Sequence, residues 1–212
     1  MSPRLPGRPR AAAPRDGIST QEEILQASDR LFCAQGYGPT STHAIAREAR
    51  ISQASLYHHF AGKQDVLLAL LLRTVRPSAD LAEQLVAGGD GDGGGPAERL
   101  RRLCAYDVRL LASGAENTGL LYSLPEVRAP FFAPFHAERR RLFEAYRALV
   151  SAARGAETAP GAPDPDRRAA MVLSLVESVV TRRLDGLGGV DDQLPDQIAD
   201  AALRLALDRP AR

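Results

Sequence analysis

The chain has 212 residues, 44% of them apolar and 25% charged, with a formal net charge of +1. That balance belongs to an ordinary globular protein with its own core, and it excludes collagen-like, low-complexity and disulfide-stapled chains. The two cysteines, Cys33 and Cys104, lie far apart with no CxxC, so neither a disulfide framework nor a cysteine-based metal site is expected, and both are read as packed, reduced thiols.

The distribution of charge says more than its sum. Residues 1–76 carry ten Lys/Arg against six Asp/Glu, while the remainder carries an acidic excess. A basic first third suits an end that faces nucleic acid. The longest apolar run, Val66 to Leu72, is too short to span a bilayer. The Arg- and Pro-rich start lacks the apolar stretch of a secretory signal. A cytoplasmic protein with no membrane partner is expected.

Residues 1–17, with Arg4, Arg8, Arg10 and Arg15 among prolines and glycines, read as a disordered basic arm. Ser19 with Glu22, or Thr20 with Glu23, forms a capping box, and Ile24, Ala27 and Leu31 then recur at helical spacing up to Gly36. A second start at Ser41 predicts a short helix over 42–49. Arg50-Ile51 is a minimal turn, and Ser52 caps a third helix over 53–60. A fourth helix, apolar nearly all round, runs from Lys63 to about Arg76, where Pro77 closes it. A short helical continuation over 78–87 precedes a Gly/Asp-rich linker over 88–96. Further helices are predicted over 97–113, 134–154, 166–185 and from Pro195 to about Leu207, with a short turn at 125–129 and a loop at 155–165. No segment alternates like a strand. The fold class is therefore all-α: an N-terminal three-helix domain over 18–64 and a C-terminal helical domain over 65–212.

The informative stretch is Thr40 to Lys63, TSTHAIAREARISQASLYHHFAGK. Two short helices joined by a tight turn make a helix-turn-helix, in which the first helix braces and the second enters a major groove. Ile45, Ala46, Ala49, Ile51, Leu56 and Phe60 supply its small core. What is left on the outside of the third helix is polar: Gln53, Ser55, Tyr57, His58 and His59. Side chains of these types bond to phosphates and base edges. The adjacent histidines do not face one point, so no metal site is expected.

Here the sequence resembles the tetracycline-repressor (TetR) family. The matching pieces are RLFCAQGYGPTSTHAIA, the turn ARIS, and LYHHFAGK followed by an apolar helix. The resemblance implies that Thr42 and His43 touch phosphate or an adjacent base, that Gln53, Ala54 and Ser55 face base edges, that Tyr57, His58 and His59 contact backbone or bases, and that Lys63 sits on a phosphate. There are two departures from the family pattern. Arg50 stands where the turn normally has glycine, which costs roughly 1 kcal/mol if the turn is left-handed. Ala44 stands where an acid would complete the capping box with Ser41.

The resemblance also implies a homodimer engaging two half-sites of an operator. The last two helices would pair through Val172, Leu175, Val176, Val179, Ile198, Ala202 and Leu205; the alternative is that this stripe forms the core of one chain. It further implies a small-molecule effector held among the middle helices, where Tyr106, Arg109, Tyr122, Phe132, Phe135, His136 and Phe143 gather. No nucleophile elbow, phosphate loop, Rossmann fingerprint, metal cluster or cofactor motif is present, so no catalytic residue and no cofactor are expected. The leading reading is a repressor released from a palindromic operator by a small, largely apolar effector. The rival is a helical small-molecule or protein-binding module whose helix-turn-helix is vestigial, and Arg50 is its only support.

Overall fold

The computed structural model describes residues 17–88, 94–155, 164–186 and 188–207. The expected basic arm (apart from Gly17), most of the 88–96 linker and most of the 155–165 loop lie outside the described residues. Those residues contain eight α-helices: α1 (Thr20–Gln35), α2 (Thr42–Glu48), α3 (Gln53–His59), α4 (Lys63–Ala87), α5 (Pro96–Ala112), α6 (Ala133–Arg154), α7 (Pro165–Asp185) and α8 (Leu194–Leu207). Three 3-10 turns, Thr118–Ser123, Pro125–Arg128 and Pro130–Phe132, connect α5 to α6. The all-α class stands. The chain divides into two compact units, Met1–Ala69 and Leu70–Arg212, with the division inside α4.

In the first unit the helix starts follow directly from the sequence. Ser19, Ser41 and Ser52 each hold an extended backbone, and each side chain accepts a hydrogen bond from the amide three residues on, Glu22, Ala44 and Ser55. Each serine thus satisfies one of the amides that a helix start leaves without a partner. Gly36, with φ +91°, ends α1. Helices α1, α2 and α3 pack on one another, and Ile24, Ala27, Phe32, Ile45, Ala46, Leu56 and Phe60 are buried.

The second unit is a helical bundle in which α5, α6, α7 and α8 all contact one another. Arginines finish several of its helices from a distance. Arg99 donates to the Leu85 carbonyl at the end of α4, Arg183 to Leu111 and Gly114 at the end of α5, and Arg168 to Leu205 near the end of α8. A cation there meets both the unpaired carbonyls and the negative end of the helix dipole.

Pro77 does not end α4, contrary to the sequence expectation; the helix continues unbroken to Ala87. A proline inside a helix costs about 3 kcal/mol because it removes a backbone donor. Burial of Val75, Ala79, Ala82 and Leu85 offsets that cost. So do side-chain bonds on both sides of the proline: Tyr122 to Thr74, Arg76 to Glu138 and Ser78 to Asp107.

Candidate functional site

In the first unit the exposed face of α3 is formed by Gln53, Ala54, Tyr57, His58 and His59, with Ser55 half-buried and only Leu56 turned fully inward. Tyr57 is 49% exposed. On α2, Thr42 is half-buried and His43 exposed. The two helices are tied together at this face. The Thr42 Oγ1 lies 3.1 Å from the Tyr57 hydroxyl and accepts from the Gln53 amide at 3.3 Å. Eight of the nine sequence-predicted DNA-facing residues lie on α3 or at the start of α2, and the ninth stands at the start of α4.

The ninth is Lys63. Its ammonium donates to the carbonyls of Tyr37, Gly38 and Thr40 at 2.7, 3.1 and 2.8 Å, and it lies 4.1 Å from the centre of the Tyr37 ring. An ammonium has three N–H donors, and three carbonyls of the α1–α2 connection take them. In the free chain these bonds make Lys63 a clamp between the start of α4 and the 37–40 segment.

Arg50 occupies the left-handed region, φ +57°, and is the only non-glycine residue to do so among those described. The turn therefore keeps the backbone a glycine would give it, and α2 and α3 remain in contact. The vestigial reading loses its one support. Arg50→Gly should relieve the strain and raise stability by about 0.5–1 kcal/mol, measured by urea unfolding. A loss of stability would show instead that the arginine side chain holds the turn.

The second unit contains a buried polar cluster that the sequence reading missed. Asp107 on α5 is 2% exposed. One carboxylate oxygen accepts from the Ser78 hydroxyl at 2.8 Å and the other from the Tyr146 hydroxyl at 3.1 Å. Burial lifts its carboxyl from the usual 3.8 to about 6; the bonds from Ser78 and Tyr146 and the charge of Arg139 work against that rise, while Glu177 adds to it. Burial, with the charge of Asp107, pushes the neighbouring Cys104 thiol up to about 12, where it stays protonated and unreactive. Alongside, Arg139 pairs with Glu177 at 2.5 Å and stacks over the Tyr122 ring at 5.0 Å. The Tyr122 hydroxyl donates to Thr74. A signal for this cluster was present: Leu100, Leu103, Cys104, Asp107, Val108 and Leu111 form one helical stripe with a single acid in it.

The predicted effector residues separate. Tyr122 and Phe135 meet, with ring centres 5.1 Å apart, and Phe132 and Phe135 are buried. His136 is exposed at the edge, its ring nitrogen donating to the Val127 carbonyl at 2.8 Å. Phe143 is half-buried. Tyr106 and Arg109 do not join them. Both are on the solvent side of α5; Tyr106 is exposed and Arg109 pairs with Asp196 of α8 at 2.9 Å.

The expected pairing stripe is also corrected. Val172, Val176, Val179, Ile198 and Ala202 are already buried within one chain, because α7 and α8 pack on each other and on α5 and α6. Only Leu175 and Leu205 are partly exposed. The apolar side chains left outside on these helices are Met171, Leu184 and Leu207, at 49%, 60% and 38%. Among the described residues no three His, Cys, Asp or Glu side chains group to hold a metal ion, and no helix is long and apolar enough to cross a membrane.

A helix-turn-helix with an exposed polar second helix, followed by a separate helical bundle, defines the class of helix-turn-helix transcription regulators. Residues 24–70 match the family model described as bacterial regulatory proteins, tetR family. The crystal structure of AmtR from Mycobacterium smegmatis is 41% identical over 93% of this chain and 90% of that one, with a TM-score of 0.80. The chain belongs to the tetR family. A curated relative, the HTH-type transcriptional regulator HbdR of Aromatoleum sp. (strain CIB), is 39% identical over 51 residues, which are 24% of this chain. That match spans 22% of HbdR's own length. AibR, solved in complex with isovaleryl coenzyme A and operator DNA, is 24% identical over 88% of this chain and 97% of its own, with a TM-score of 0.64, a likeness of fold.

Proposed function

We propose that the protein is a dimeric repressor that reads a palindromic operator through α3 and is released by a small molecule bound in the second unit. The observation that carries the reading is the outer face of α3. Gln53, Tyr57, His58 and His59 stand exposed on one short helix, with a half-exposed tyrosine and an amide already hydrogen-bonded to α2. Thr42, His43, Ala54 and Ser55 complete the surface offered to DNA.

Dimerisation uses the apolar residues of α7 and α8 left outside, Met171, Leu184 and Leu207, with Leu175 and Leu205 at their margin. The effector sits at the Tyr122–Phe135 pair and the polar groups beside it. Aromatic walls with a few convergent polar groups are how small-molecule sites are built. AibR, which shares the fold, is known with both an acyl coenzyme A and operator DNA. The effector acts on DNA affinity by binding the DNA-competent and DNA-released states unequally.

The test is a mobility shift on duplexes selected from a random pool, at two salt concentrations. Gln53→Ala and Tyr57→Ala should each weaken specific binding at moderate salt at least tenfold, leaving charge-driven binding at low salt. Specific binding retained in both would remove α3 as the reading helix. Sedimentation of Met171→Asp/Leu184→Asp checks the pairing surface: the wild type should sediment as a dimer and the variant as a monomer.

A further inference from the structure

We infer that Thr42 is a positioning residue for base readout: it orients the Gln53 amide before DNA arrives and so sets the discrimination at the base pair Gln53 meets. The inference rests on the reading of α3 as the helix that reads DNA.

Thr42 opens α2, Gln53 opens α3, and Tyr57 lies one turn further along α3 on the same face as Gln53. The Thr42 hydroxyl is the point where all three meet, 3.3 Å from the Gln53 amide nitrogen and 3.1 Å from the Tyr57 hydroxyl. A threonine hydroxyl has one hydrogen and two lone pairs, enough to serve both neighbours at once. Its branched side chain holds few rotamers, so it is a stiff post. Glutamine is the opposite: long, with several rotatable bonds whose freedom is lost when it binds.

The bond fixes which way the amide faces. When the Nε2 hydrogen given to Thr42 is the one anti to the carbonyl oxygen, the second hydrogen and that oxygen share the free edge of the Gln53 amide. That edge is a donor beside an acceptor, the pattern that fits adenine N7 and N6. A free glutamine samples both faces of its amide and pays the ordering cost at each encounter. A phosphate contact from Thr42 would add the same affinity for every sequence. An orienting contact affects one base pair only. The two roles are separable by experiment.

The experiment uses the full chain and duplexes chosen from a random pool, with every base pair of the selected site substituted singly. Gln53→Ala identifies the pair Gln53 reads, as the one where discrimination falls. At that pair Thr42→Val should cut the preference about tenfold, and Thr42→Ser, which keeps the hydroxyl, should stay within about threefold of wild type. In the Gln53→Ala background Thr42→Val should cause no further loss of discrimination. In the free protein, the side-chain amide of Gln53 should become more mobile by NMR relaxation in Thr42→Val and not in Thr42→Ser.

Thr42→Val weakening all sequences equally, with Gln53→Ala still narrowing one pair, overturns the positioning role and leaves α3 as the reader. An amide as rigid in Thr42→Val as in wild type also overturns it. Gln53→Ala changing discrimination at no pair overturns both the positioning role and the reading of α3.

Discussion

In Asp107→Asn, the stability advantage over wild type should grow by roughly 3 kcal/mol between about pH 4 and pH 6 and be level on either side. The carboxyl is lifted from 3.8 to about 6 by burial, so the folded chain holds its proton across that window while the unfolded chain has lost it. A raised carboxyl contributes stability that is complete below the unfolded value and disappears as pH rises through the folded one. Above pH 6 the wild type carries a buried negative charge whose direct partners are two neutral hydroxyls, Ser78 and Tyr146. Asparagine keeps the shape and loses the charge, and both hydroxyl oxygens are able to accept from its amide. Urea unfolding of both proteins from pH 3.5 to pH 8 gives the difference curve. A flat curve, or one of opposite slope, would mean that Arg139 neutralises Asp107 fully and that the site is an ion pair rather than a buried, proton-holding acid.

Lys63→Met should lower the stability of the first unit by about 2 kcal/mol, read from amide exchange in α1–α3. The methionine keeps the length of the stem and loses three charged hydrogen bonds to Tyr37, Gly38 and Thr40, together with the contact over the Tyr37 ring. Lys63→Arg should not rescue it, because a planar guanidinium does not match three carbonyls set around a point. The lysine that the family pattern places on DNA would then act mainly by holding the 37–40 segment against the start of α4. Unchanged exchange in Lys63→Met, together with a salt slope of DNA binding reduced by about one, would restore the phosphate contact.

The first unit could be read almost residue by residue because its determinants are local. Ser19, Ser41 and Ser52 cap their own helices three residues away, Gly36 ends α1, and Arg50 takes the left-handed turn its place in the motif demands. Such interactions are written within a few positions of one another, so composition and spacing reveal them. The α3 face followed from the same logic, since a seven-residue helix that buries Leu56 has little choice about what it leaves outside.

The second unit was legible only in outline. Helical periodicity located its helices, and it marked Val172, Val176, Val179, Ile198 and Ala202 as apolar and inward. It could not say that the inside was the chain's own core rather than a second copy. That depended on α5 and α6, distant in sequence, closing over α7 and α8. Pro77 was read as a stop because the bonds that hold α4 together past it come from Asp107, Tyr122 and Glu138. Local sequence by itself therefore determined where helices begin and what α3 presents. Tertiary structure alone decided which apolar face is covered, where Lys63 spends its charge and how a lone acid comes to be buried, because each of these is a contact between residues the chain brings together only on folding.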